Sequence, residues 1–162
     1  MFLWFIGTAV VIIWSVFRDP RFDYRLLVVG AVLPGIVDVW SGGAWVMHSL
    51  VTSVALLVLV MLVTIGRRPL RKTLLGLPLG TLLHLVTTGA WTEARVFWWP
   101  LGGWSFGDDP LPIVARGWWN LPLEVIGAAL VVWIWRSAGL ADRERRQWFR
   151  RTGQLLLPTR PG

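Results

Sequence analysis

The chain has 162 residues, room for one or two domains, and 55% of them are hydrophobic while only 15% are charged. Soluble domains carry about 25% charge, so this composition, with a mean hydropathy of +0.60, suits a chain whose solvent is lipid. Cysteine is absent, which excludes disulfide scaffolds, zinc ribbons, iron–sulfur clusters and thiol catalysis. A disordered tail and a soluble Rossmann enzyme are excluded by the same composition.

A bilayer core is spanned by about 20 mostly apolar residues at 1.5 Å rise each. Residues 2–17 form the first such segment. It lacks a basic stretch ahead of it, and Arg18 and Arg21 follow it, so it reads as a retained helix rather than a cleavable signal peptide. The second, 24–40, is interrupted by Gly30, Pro34 and Gly35 and reads as a short span or a re-entrant segment. Residues 44–65 make a full-length third segment. The fourth, 73–91, contains Pro78, an expected kink, and the fifth is 118–135. The sequence therefore predicts an all-α, polytopic transmembrane helical bundle of about five membrane segments. It forms one domain over 1–135, followed by a basic tail over 136–162.

The basic residues assign an orientation. With the N-terminus outside, 14 of the 16 Lys and Arg fall in the three inner stretches, leaving only Arg95 and Arg116 on the other side. The positive-inside rule then predicts a bacterial inner (plasma) membrane protein with its N-terminus outside and its C-terminus cytoplasmic. Eight of the 13 Trp lie at or beyond the outer helix ends, where an indole keeps its ring in lipid and its N–H near water. The aromatic stretch Val96–Phe106 is expected to lie on the outer leaflet and to cover whatever lies beneath it. The tail from Asp142 to Arg151, with Trp148 and Phe149, suits a surface helix on anionic lipid. Retention of basic loops already accounts for those arginines, so no specific nucleic-acid partner is expected.

Ionisable groups inside a membrane are costly and invite a functional question. Asp38, His48, His84 and Glu124 come from four different segments, and a count of ~1.5 Å per residue places all four within roughly 10 Å of the outer interface. Gly76, Gly80, His84 and Thr88 recur every four residues and share one helix face. A face of small residues lets a neighbouring backbone approach closely. His48 with Thr52, and Asn120 with Glu124 and Ala128, are expected to face the same interior.

Imidazole nitrogen and carboxylate oxygen suit a divalent metal such as zinc, and a three-ligand site with an open position activates water for hydrolysis. The same four groups can instead hydrogen-bond across helices, with a buried Glu protonated. No HExxH pattern, glycine-rich phosphate loop or nucleophile elbow is present. Asp108 and Asp109, beside Pro110, read as turn formers.

Asp23-Tyr24-Arg25, Leu33-Pro34 with Asp38, His48-Ser49, His84 with Gly89, and Trp99-Pro100 together resemble the bacterial inner-membrane metal-dependent hydrolases, in particular their actinobacterial branch. The resemblance runs from about Asp23 to Trp135. It implies a metal-dependent hydrolase, with no substrate specified. Two departures stand out. The family's Leu-Pro-Asp is Leu33-Pro34-Gly35 here, and the Asp four residues after the second His is Thr88. Asp38, His48 and His84 remain as implied ligands. Glu124 would be a fourth ligand or, with Asp38, part of the catalytic machinery as the base that takes a proton from metal-bound water.

The expected function is thus a membrane-embedded hydrolase with a divalent metal cofactor. It would act on a lipid or phosphoester at the outer face, with a site reduced or inactivated at Gly35 and Thr88. The competing reading is a non-enzymatic integral membrane protein whose polar cluster only holds helices together. A small transporter would want repeat symmetry or a through-path, and neither is visible. The orientation is directly testable. Cysteine labelling in intact cells should find residues 66–72 protected and residue 98 reactive; labelling of an Arg68→Cys variant from outside would overturn it.

Overall fold

The computed structural model describes residues 1–17, 19, 21–39, 46–101, 103–104, 114 and 116–155. Arg18, Trp40, Trp45, Asp108, Asp109 and the last seven residues lie outside them, as does most of the aromatic stretch beyond Trp104. The described residues form helices and no strand, in agreement with the all-α expectation.

Among the described residues eight α-helices follow in order: α1 Phe2–Phe17, α2 Tyr24–Val39, α3 Leu50–Val63, α4 Arg68–Leu74, α5 Gly76–Thr88, α6 Ala94–Phe97, α7 Asn120–Ser137 and α8 Arg143–Thr152. Short 3-10 turns at Val46–His48, Ala90–Thr92 and Gly117–Trp119 punctuate them. One helical stretch, Gly117–Ser137, is by itself long and apolar enough to cross a membrane; Phe2–Phe17 and Leu50–Val63 are apolar but shorter.

Local chemistry explains the boundaries. Ser49 caps α3, accepting from the Thr52 backbone N–H at 3.2 Å. This cap holds Val46–His48 outside the helix, so the expected segment 44–65 yields a helix only from Leu50 to Val63. Gly89, at φ 68°, ends α5 in the left-handed conformation that a glycine adopts at no steric cost. Pro78 falls in the first turn of α5, where its missing N–H leaves no helix hydrogen bond unmade. The fourth segment is divided at Leu75, one turn before Pro78, although Leu75 keeps αR dihedrals (φ −60°, ψ −23°) and donates to Arg71 O at 2.9 Å.

Two parallel helix pairs build the centre, α1 with α7 and α2 with α5, and these are the two most extensive pairings. Both rest on missing side chains. A Cβ on Gly80 would stand 2.3 Å from the Leu27 carbonyl oxygen and 2.6 Å from the Ala31 nitrogen. One on Gly30 would meet the Leu77 carbonyl oxygen at 2.2 Å. In the other pair, a Cβ on Gly127 would meet the Trp4 nitrogen at 2.2 Å. The small-residue face expected on α5 is therefore the one α2 packs against. A continuous apolar cluster containing Phe5, Ile13, Tyr24, Leu27, Ala31 and Ile134 joins the two pairs.

The outer faces are also apolar. On α3 only Ser53 and Val60 are buried, and on α7 only Gly127 and Ile134. Leu59, Leu62, Leu121, Val125 and Trp133 are all more than half exposed. At the ends of these helices the orphan carbonyls are met by arginines. Arg71 donates to Thr64 O at the end of α3 (3.2 Å), Arg145 to Ala138 O (3.1 Å) and Arg146 to Leu140 O (3.1 Å) after α7. Arg25 donates to Arg150 O at the end of α8 (2.9 Å). The clasp is completed by the Tyr24 N–H, which donates to Gly153 O at 2.9 Å.

Gly80→Ala should drive α2 and α5 apart, because the new methyl meets backbone on both sides and neither atom can rotate away. Overpacking of this kind costs about 1–3 kcal/mol. A thermal melt in detergent should show a clear drop for Gly80→Ala, against little change for Val86→Ala on the exposed side of the same helix.

Candidate buried histidine site

His84 lies on the buried face of α5, one turn beyond Gly80, and only 1% of its surface is exposed. The close approach of α2 sets its partner. His84 Nδ1 donates to the Ala31 carbonyl at 2.6 Å, and since a carbonyl only accepts, the ring's proton must sit on Nδ1. The Phe5 ring packs against the imidazole with centroids 4.1 Å apart, closing its third side with α1.

His48 ends the 3-10 turn that Ser49 separates from α3. Its ring is buried too, and its Nδ1 lies 2.6 Å from Asp38 Oδ2 at the end of α2. With the carboxylate accepting, this ring also carries its proton on Nδ1. The Val46 carbonyl, taken by Ser49 Oγ at 2.8 Å and Thr52 Oγ1 at 2.6 Å, fixes the turn. Thr52 thus supports the turn on which His48 sits, rather than sharing a helix face with it.

The two imidazoles meet edge to face, with ring centroids 5.3 Å apart and planes at 78°. Both Nε2 atoms are buried and have no hydrogen-bond partner among the described residues. Each ring is therefore anchored at Nδ1 and carries a lone pair at Nε2. Two imidazoles bound through Nε2 at about 2.0–2.1 Å to one tetrahedral ion would have centroids roughly 5 Å apart, so the observed separation fits a shared ion. Asp38 is placed behind His48, where a carboxylate orients a ligating ring and raises its basicity. Among the described residues no group of three or more acidic or imidazole side chains is placed to hold a metal.

The expected four-group cluster is thus corrected to three. Asp38, His48 and His84 come together, whereas Glu124 is engaged elsewhere. Its carboxylate accepts from Leu3 N at 3.1 Å and Trp4 N at 3.4 Å, capping the first turn of α1. Backbone N–H groups at a helix start attract a carboxylate by hydrogen bonding and by the helix dipole. Gly127, three residues further along α7, brings the two helices close enough for this.

Thr88 is buried one turn past His84 and donates to His84 O at 2.5 Å. Gly35, the other departure from the family pattern, is buried in α2. A residue not anticipated from the sequence, Arg116, donates through Nη2 to the Thr88 carbonyl. Its partial burial lowers the guanidinium pKa through desolvation, marking a cation held away from bulk water. Only its isolation on the arginine-poor side could have flagged it. A cavity of about 430 Å³, lined by Trp118, Leu121 and Glu124 among others, opens near the same end of the bundle. Comparison with family models, curated proteins and solved structures finds no match to this chain.

Nitrogen NMR of the protein labelled at histidine should show both rings as the Nδ1–H tautomer, with Nε2 unprotonated. Asp38→Ala should cost about 1–3 kcal/mol, because it leaves the buried His48 Nδ1–H without its acceptor. Asp19→Ala, which removes the exposed partner of Lys72 (3.6 Å), should cost less than about 1 kcal/mol. Equal losses in chemical denaturation would show that the Asp38–His48 contact is not the buried anchor described here.

Proposed function

We propose that the chain is a bundle of about five segments in the bacterial inner membrane, N-terminus outside, whose paired histidines hold a divalent metal in a hydrolase-type site. The observation that carries this reading is the pair of buried Nε2 atoms without partners among the described residues. A core histidine that serves only packing satisfies both its nitrogens, because each unmade hydrogen bond costs about 1–3 kcal/mol. Here the same kind of atom is left open on two neighbouring rings, each with its other nitrogen held.

Membrane residence is supported by the apolar outer faces of α3 and α7, which in water would be an aggregation hazard. The partition of basic residues supports the orientation. The donor set, two neutral imidazoles, favours zinc over magnesium or calcium. His48 and His84 would bind the ion, with Asp38 and the Ala31 carbonyl holding the two rings. A bound divalent ion supplies a Lewis acid and acidifies coordinated water. Arg116, half-buried at the same end, would hold the anionic group of a lipid or phosphoester substrate. Glu124 has no part in this chemistry; it seats α1. The resemblance to metal-dependent hydrolases points the same way. Anionic lipid remains the partner proposed for the basic tail.

A second reading is favoured by the ligand count. With Gly35 and Thr88 at the two positions where the family carries acids, the site has two nitrogen donors and no ligating carboxylate, which suits a structural polar cluster or a reduced site. Zinc content and melting behaviour separate the readings. The metal reading expects near-stoichiometric zinc and a raised melting temperature, by an amount equivalent to about 2.7 kcal/mol at a hundredfold excess over Kd. His48→Ala and His84→Ala should each abolish the gain. Gly35→Asp with Thr88→Asp should strengthen it, the second carboxylate also meeting Arg116. A double variant that melts lower and gains nothing from zinc would establish the structural cluster instead.

A further inference from the structure

At the opposite end of the bundle from the imidazoles, three separate segments line one cleft, two of them with basic side chains. The turn before α2 contributes Arg21, α4 contributes Arg68 and Lys72, and the end of α8 contributes Trp148 and Gln154. The cleft encloses about 630 Å³, with Pro69 and Thr73 completing its wall. Among the described residues, one acid pairs with these cations. Asp19 lies 3.6 Å from Lys72, and the Asp19 side chain also accepts from the Arg21 backbone N–H at 2.8 Å. The side chains of Arg21 and Arg68 make no hydrogen bond or ion pair among the described residues, in contrast to Arg25, Arg71, Arg145 and Arg146, which all bind carbonyl oxygens.

The cleft is held in shape by bonds that do not use its own cations. The N–H of Tyr24 donates to Gly153 O, and Arg25 bridges Asp23 and the Arg150 carbonyl, which fixes the end of α8 against the start of α2. Leu155, buried at 5% exposure, anchors the chain just past Gln154 in the apolar cluster. Three like charges gathered on a rigid frame repel one another unless an anion joins them. Trp148, at the rim and 38% exposed, adds an amphipathic ring of the kind that settles at lipid headgroup depth.

We infer that this cleft binds the phosphate of an anionic phospholipid headgroup, with Arg21, Arg68 and Lys72 as the contacting cations and Trp148 beside the glycerol. The occupant's charge follows from the cations and its lipid character from the indole and from the apolar α3 surface that leads up to α4. Basic pockets at the cytoplasmic ends of membrane helices bind such headgroups. The inference rests on the membrane part of the proposed function and is independent of the metal.

Reconstitution separates the two. The purified full chain is placed in phosphatidylcholine vesicles, alone or with phosphatidylglycerol. Flotation with pure phosphatidylcholine tests membrane residence by itself. Phosphatidylglycerol binding is then read by native mass spectrometry and by its effect on the melting temperature in detergent. Each cation near an anionic surface is worth about a factor of five, so Arg21→Gln with Arg68→Gln should weaken binding roughly 25-fold. Arg143→Gln with Arg151→Gln removes the same charge from the basic tail, whose contact with the surface is diffuse, and should weaken binding clearly less than the cleft pair does. Both cleft arginines lack side-chain bonds, so the first variant should retain its fold, which its melt without lipid verifies. Equal loss in both variants would reduce the effect to diffuse surface charge and overturn the cleft. Stabilisation by inorganic phosphate as strong as that by phosphatidylglycerol would overturn the lipid assignment in favour of a soluble phosphate.

Discussion

The approach of α2 and α5 at Gly30 and Gly80 is the constraint on which the rest depends. Two helices packed through ordinary side chains lie 8–10 Å apart. These two come close enough that any Cβ at either glycine would strike backbone. Only at that spacing does a histidine one turn along α5 reach a carbonyl on α2, and that bond holds its ring beside the ring of His48. The pairing sets the separation of the two rings as firmly as it sets the separation of the helices.

Burial of polar atoms takes its meaning from this. In a lipid-like interior every open donor or acceptor is expensive, and the surrounding threonines illustrate the usual remedy. Thr81, Thr87 and Thr88 each turn a hydroxyl back onto a carbonyl of their own helix. The imidazoles have no such recourse at Nε2, because the ring holds that atom away from its own backbone. Two rings carrying such atoms lie edge to face, with centroids 5.3 Å apart.

Much of this arrangement was legible in residue spacing. Four-residue recurrence on α5 revealed both the close-packed face and the direction of His84, and the apolar run fixed α1 at Phe2–Phe17. Spacing served less well where capping overrode hydropathy. Apolar character runs continuously through residues 44–65, yet Ser49 starts the helix late and leaves His48 on a turn. Glu124 shows a different limit. Counting residues from Trp118 gave its depth, but depth carries no information about azimuth. Its real partner, the start of α1, is 121 residues away and was invisible in any local window. Arg116 was hidden for the same reason, since its acceptor is a backbone carbonyl, which leaves no mark in a sequence.

The grip of Glu124 on Leu3 and Trp4 has a consequence for how the molecule is made. Both central pairs join helices that the ribosome delivers far apart in time, α1 with α7 and α2 with α5. During synthesis α1 therefore waits, its amino end without Glu124 and its Gly7 face without Leu130, until α7 arrives. Non-local closure of this kind is slow, because chain entropy is spent before the contact that rewards it exists. A nascent chain halted before residue 120 holds every element of the histidine site, yet lacks the piece that seats Phe5 beneath it. Assembly of the buried pair is in that sense a late event, coupled to the arrival of α7 rather than to the appearance of its own residues.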